Sequence, residues 1–113
     1  MNKLYFSYDA KTDLADIREY ITDELANPVA ASSTIARITK SIRVLQDFAF
    51  AGAPLSSIAS IPSDYRYLSV SNYMVFYHII ADAIYVDRIL YGKSNYLRTL
   101  FGEDYDSSEK IKN

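Results

Sequence analysis

Cations and phenols crowd one short stretch of this sequence. Arg88, Tyr91, Lys93, Tyr96 and Arg98 succeed one another with no acid between them. Arg66 stands earlier, at the start of another apolar run. Guanidinium and ammonium groups hold phosphates, and phenol rings stack on bases. Arg and Tyr are also the residues that dominate protein interfaces. Phosphate handling and protein docking are thus both open to this segment.

Other chemistries find too few parts. The glycines are Gly52, Gly92 and Gly102, far apart, so no glycine-rich phosphate loop exists. With no Cys and a single His, a Cys/His zinc site and any disulfide are excluded. No metal site and no cofactor are expected. A Ser-His-Asp triad would have to use His78, which sits inside the apolar run YMVFYHII and reads as a side chain packed on a sheet. Asp13, Asp16 and Glu19 form a carboxylate group on one helix, and a solvated helix face accounts for them. Arg66 alternates with Leu68 and Val70, and Arg88 with Ile84, Val86 and Leu90. An arginine on an apolar side is either paired or lines a groove, and Asp64, Asp82 and Asp87 are the acids at hand.

The elements that must position these groups are legible from periodicity. Residues 3–8 read as a strand, with Asp9 as the N-cap of the helix after it. Ala10, Leu14, Ile17, Ile21 and Leu25 make one helical stripe. Asn27-Pro28 ends that helix and opens another, with Asn27 as N-cap and Pro28 in its first turn. The second stripe is Ala31, Ile35, Ile38, Ile42, Leu45 and Phe48. Residues 51–63 read as a loop rich in Ser, Ala and Pro. Strands come next over 65–70, 73–80 and 84–91, turning at Ser71-Asn72 and Ala81-Asp82. Ser94 or Asn95 caps a last short helix that runs to Phe101, with Gly102 past its end.

The expected fold is α+β: an N-terminal strand, then an antiparallel helix hairpin packed on an antiparallel sheet with a three-strand meander, then a short C-terminal helix. The 113 residues fit one domain over 1–102, with an acidic, flexible tail over 103–113. Eleven tyrosines and no Trp suit a sheet with one wet face. Net charge is −2, which does not announce a nucleic-acid binder. No signal peptide and no membrane span are read, and the absence of Cys suits the cytoplasm.

The run RILYGKSNYLRTLF, Arg88 to Phe101, resembles the C-terminal signature of RelE/ParE-type toxins. YRYLSVSNYMVFYHI, Tyr65 to Ile79, is similar to that family's middle hairpin. DLADIREYI, NPVAA and AGAPL agree upstream, so the resemblance spans Leu4 to Phe101. It implies the toxin of a type II toxin–antitoxin pair, a plasmid stabilisation relative, held inactive in a hetero-oligomer with its cognate antitoxin. Freed toxins of this kind either cut mRNA on the ribosome or poison DNA gyrase. A nuclease would have to use Arg66, Arg88, Tyr91 and Lys93. A gyrase-binding toxin would use Arg88, Tyr91, Lys93, Tyr96 and Arg98. The antitoxin-binding residues are not assigned. Low basicity, Met74 and Ala53 where nucleolytic relatives place charged groups, and the lack of a His near the chain's end favour the ParE-like, gyrase-binding reading. A non-toxic relative that only binds a partner is the third reading.

Overall fold

The first strand, β1, is short because Ser7 turns the chain. β1 covers Lys3–Phe6 and helix α1 covers Tyr8–Glu19. Ser7, not Asp9, is the N-cap: its Oγ accepts the Ala10 N–H at 2.9 Å. Asp9 lies in the first turn, where a carboxylate faces the helix's positive end. The computed structural model describes residues 1–102, and the tail expected over 103–113 lies outside them.

α1 widens into a π turn at Tyr20–Glu24, where the Leu25 N–H reaches the Tyr20 carbonyl. An added residue per turn shifts the stripe's phase. Ile21 is therefore the last buried member, and Leu25, expected in the stripe, is exposed. Ala26 takes a left-handed φ of 49° and turns the chain. Helix α2 then spans Pro28–Val44, with Asn27 Oδ1 accepting the Ala30 N–H at 3.0 Å. Ala31, Ile35, Ile38, Ile42 and Leu45 are buried as the spacing predicts. Phe48 is not: α2 has ended, the Phe48 N–H folds back onto the Val44 carbonyl, and the ring is 67% exposed.

The loop expected over 51–63 contains a two-residue strand, β2 (Ala53–Pro54), and a 3₁₀ turn at Leu55–Ser57. Strands β3 (Arg66–Val70), β4 (Tyr73–Ile80) and β5 (Ala83–Tyr91) form the meander. Helix α3 is Tyr96–Phe101. The sheet order is β1-β5-β4-β3-β2. All pairs are antiparallel except β1 with β5, which is parallel. That pair is reached through the α1–α2 crossover and the meander, so no local turn announces it.

One irregularity governs the faces. Phe76 pairs with Arg88, but Tyr77 pairs with Val86, so Asp87 is an extra residue in β5. A bulge of this kind reverses the side-chain alternation beyond it. Ile84 and Val86 face the helix hairpin before it, and Ile89 after it. The other face is covered by α3: Leu55, Met74 and Phe76 pack with Tyr96, Leu97 and Leu100. β4 is therefore buried on both sides, which explains its unbroken apolar run.

Candidate functional site

Arg88 is anchored. Its Nε and Nη2 donate to Asp13 Oδ2 and Oδ1, each at 2.8 Å. The Ile89 N–H donates to the same Oδ2 at 2.9 Å. Three charge-assisted bonds thus end on one buried carboxylate. The hydrogen bond to Asp13 raises the guanidinium's already high pKa. The partner is none of the three aspartates singled out in the sequence, and Asp13 is not on a solvated face. The cause is the end of β1 at Phe6: it leaves the outer edge of β5 unpaired beyond Val86, and α1 lays Asp13 along it. The sign was present in the sequence. Asp13 lies three residues after Ala10 and four before Ile17, inside the stripe of buried positions.

Because of the bulge, Arg88 shares a face with Phe76 and Leu90, and not with Ile84 and Val86. Arg66 pairs opposite Tyr77, the next residue of β4, and so points to the other face. Its Nη2 donates to the Gly52 carbonyl at 2.6 Å, and its guanidinium lies 4.9 Å from the centre of the Phe50 ring. Arg66 thus has a backbone carbonyl and a ring for partners where an aspartate was one of the options. The sheet stands between the two arginines.

Tyr91 stacks edge-on against Tyr73, ring centres 6.0 Å apart, on the helix-hairpin face. Lys93 is exposed on the turn after β5 and lines a pocket of about 280 Å³ with Ser69, Ser71, Asn72, Met74 and Tyr91. The Gly92 N–H bonds the Asn72 carbonyl at 2.8 Å and fixes that turn. Asn95 is the cap of α3, accepting the Arg98 N–H. Tyr96 tilts onto Phe76 at 5.3 Å, and Arg98 is on the exposed side of the helix. Lys93 and Arg98 are exposed near the end of the chain's described part, and Tyr96 between them in sequence is half-buried on Phe76. Arg66, Arg88 and Tyr91 are not brought to one place.

His78 packs on the sheet as expected, and its partner is Asp87: Nδ1 lies 2.6 Å from Oδ2. The imidazole stacks on Tyr85 at 5.1 Å, and Tyr85 on Tyr5 at 5.2 Å. Burial raises the Asp87 pKa above its ordinary 3.8, and the bond to His78 opposes the rise.

One concavity was not foreseen from the sequence. A groove of about 570 Å³ runs between α1 and its π turn on one side and the ends of β4 and β5 on the other. Ile17, Tyr20, Leu25, Tyr73, Ile89 and Tyr91 line it. Through Asp16 and Tyr20 the groove adjoins a second concavity lined by Glu19, Asp23 and Glu24, so its helical side carries an acidic rim. Leu25 is exposed here because the π turn swings it off the buried stripe, and Tyr20, outside that stripe, is exposed where the turn begins. The N–H of Ile89 points outward to Asp13, so its carbonyl also lies on the unpaired edge beside the groove.

Comparison with known proteins completes the picture. A family model described as "ParE toxin of type II toxin-antitoxin system, parDE" matches residues 4–96. Among solved structures the chain is similar to one described as "Chromosomal ParDE TA system from P. aeruginosa", with a TM-score of 0.68. The two are 22% identical over 80% of this chain and 96% of that one, a likeness of fold. No curated protein matches.

Proposed function

The chain belongs to the ParE toxin family of type II toxin–antitoxin systems, and from that premise we propose that it arrests growth in the cytoplasm by binding a protein target, DNA gyrase before others. The observation that carries this reading is the dispersal of the groups an RNA-cleaving site would need. Arg66 and Arg88 lie on opposite faces of the sheet, and Asp13 occupies the Arg88 guanidinium. Transition-state stabilisation at phosphorus needs donors aimed at one point, and these are not. A binding toxin needs only a surface, and Lys93 and Arg98 are exposed cations on either side of the half-buried Tyr96, residue types that anchor interfaces.

Release from a cognate antitoxin is the switch in this reading. The groove beside the unpaired β5 edge is its natural seat: apolar walls, an acidic rim and an outward carbonyl suit an extended or helical segment. Toxin and antitoxin then form a hetero-oligomer.

The test is direct. Toxin purified away from its antitoxin is added to gyrase with relaxed plasmid. Loss of supercoiling at near-stoichiometric toxin is expected, with Lys93→Glu/Arg98→Glu at least tenfold weaker. Undisturbed supercoiling together with codon-positioned mRNA cuts after induction would put the ribosome in gyrase's place.

A further inference from the structure

Helix α2 carries charge of one sign. From Asn27 to Gln46 the ionisable residues are Arg37, Lys40 and Arg43, all exposed. Each follows the last by three residues, so they lie within an arc of about 120° and span about 9 Å of the helix axis. That arc is opposite Ile35, Ile38 and Ile42, which are buried. Arg43, in the last turn, complements the negative end of the helix dipole. The dipole's effect fades within a turn, so Arg37 and Lys40 are left without that explanation. Like charges one turn apart repel, and the column is a cost to the helix by itself. Among the described residues the ion pairs are Arg88–Asp13 and His78–Asp87, and none of the three cations enters one. The nearest acid along the chain is Asp47, exposed four residues after Arg43, where it tempers one end of the column. The other acids of the helix hairpin belong to α1 and its π turn. The column also continues beyond the helix. Arg37 Nη1 donates to Ser71 Oγ at 3.2 Å. Ser71, in the β3–β4 turn with a left-handed φ of 54°, lines the same pocket as Lys93, and no carboxylate lines it.

We propose that Arg37, Lys40 and Arg43, continued by Ser71 and Lys93, form a track for the phosphate backbone of duplex DNA. The inference goes beyond the gyrase reading and does not depend on it. Composition selects the partner. Beside the cations of α2 stand Ser33, Ala36 and Ser41, and the helix holds no aromatic ring. Its exposed apolar residues, Val29 and Val44, are at its two ends, with Phe48 and Phe50 beyond. A protein partner would be anchored by rings in a desolvated centre, where Lys is depleted. Arg, Lys, Ser and Asn side chains are the donors that hold phosphate oxygens without reading sequence. The pocket at the end of the track adds Ser69 and Asn72 to that set. A net charge of −2 makes such a contact weak and salt-sensitive. It does not abolish it, because exposed charges more than about 10 Å apart are largely screened at 0.1 M salt.

The test titrates the full-length chain, purified away from antitoxin, into a fluorescein-labelled DNA duplex followed by anisotropy. Between about 50 mM and 200 mM salt, log affinity should fall against log salt with a slope of about −3, as for three to four neutralised phosphates. Arg37→Gln/Lys40→Gln/Arg43→Gln should bind at least tenfold more weakly, with a slope of about −1. All three side chains are exposed, so its urea midpoint should match wild type. Lys40→Glu alone should already weaken binding severalfold. Lys3→Gln/Lys11→Gln removes exposed cations from β1 and α1 and should bind as wild type does. Absence of binding at the lowest salt overturns the inference. Equal weakening by the Lys3/Lys11 variant also overturns it, since binding would then follow net charge and not the track. Displacement of the duplex by a polyglutamate peptide at equal charge would give the track to an acidic protein and overturn it too. Supercoiling is scored separately. A chain that inhibits gyrase but binds no duplex keeps the gyrase reading and loses the track. A chain that binds duplex through the track and leaves supercoiling intact does the reverse.

Discussion

Asp13 must satisfy two kinds of donor at once, a guanidinium and a strand-edge amide. Removing such a carboxylate leaves both donors stranded at a half-covered edge. Losing one partner of a buried ion pair costs about 3–5 kcal/mol. Arg88 keeps 27% side-chain exposure, so water recovers part of that. We expect Asp13→Ala to destabilise the fold by about 2–4 kcal/mol in urea titrations. Lys93→Ala, on an exposed turn, should stay within about 0.5 kcal/mol of wild type. The contrast matters for reading toxicity: loss of arrest in an Arg88 variant reports on folding first, whereas loss in a Lys93 variant reports on the target surface. If Asp13→Ala proves as stable as wild type, the brace is ornamental and Arg88 returns to the target surface. A lone acid inside a helical stripe is a readable sign of this pairing. Its partner is not, because the two residues meet only through the parallel β1–β5 pairing and the edge it leaves bare.

At the scale of elements, the helix stripes and the meander were legible because they are local. Ala31, Ile35, Ile38 and Ile42 are spaced for one face, and the strand runs are punctuated by two-residue turns. The π turn and the bulge were not legible, since each inserts a residue without a characteristic composition. Asp87 shows what the insertion achieves. It brings a half-buried carboxylate to the α3 face, against His78. Burial there raises its pKa, and the His78 bond holds the rise down. His78→Phe keeps a ring on Tyr85 and deletes that bond, so the Asp87 pKa should rise further. An acid whose folded pKa exceeds its unfolded value binds protons more tightly when folded. It therefore costs the fold most at neutral pH, and the cost fades as pH falls through the carboxylate range. Accordingly, His78→Phe should be less stable than His78→Phe/Asp87→Asn at pH 7, and the gap should narrow as pH falls through the carboxylate range. Urea midpoints measured down that range decide it, and a gap that does not change with pH refutes the assignment.

At the scale of the whole molecule, one sheet keeps two faces apart. The helix-hairpin face ends in the groove with its acidic rim, and the α3 face ends at the exposed Lys93 and Arg98, with Tyr96 half-buried beneath them. With a net charge of −2, the protein gains no general attraction for polyanions, so attraction must be local. Among the described residues the rim gathers Asp16, Glu19, Asp23 and Glu24 in one place. Asp16, Glu19 and Asp23 are all exposed, so reversing them leaves the core alone. If the antitoxin segment meets this rim with Lys or Arg, each reversal removes an attraction and adds a repulsion worth about 0.5–1 kcal/mol. Asp16→Lys/Glu19→Lys/Asp23→Lys should then weaken antitoxin binding by about 10- to 100-fold in titration calorimetry. Wild-type affinity should also fall between 50 mM and 300 mM salt, since exposed charges are screened within about 10 Å, while the triple variant should respond in the opposite direction. An unchanged Kd in the triple variant would move the antitoxin away from the rim and leave the groove's apolar wall as its only claim to that partner.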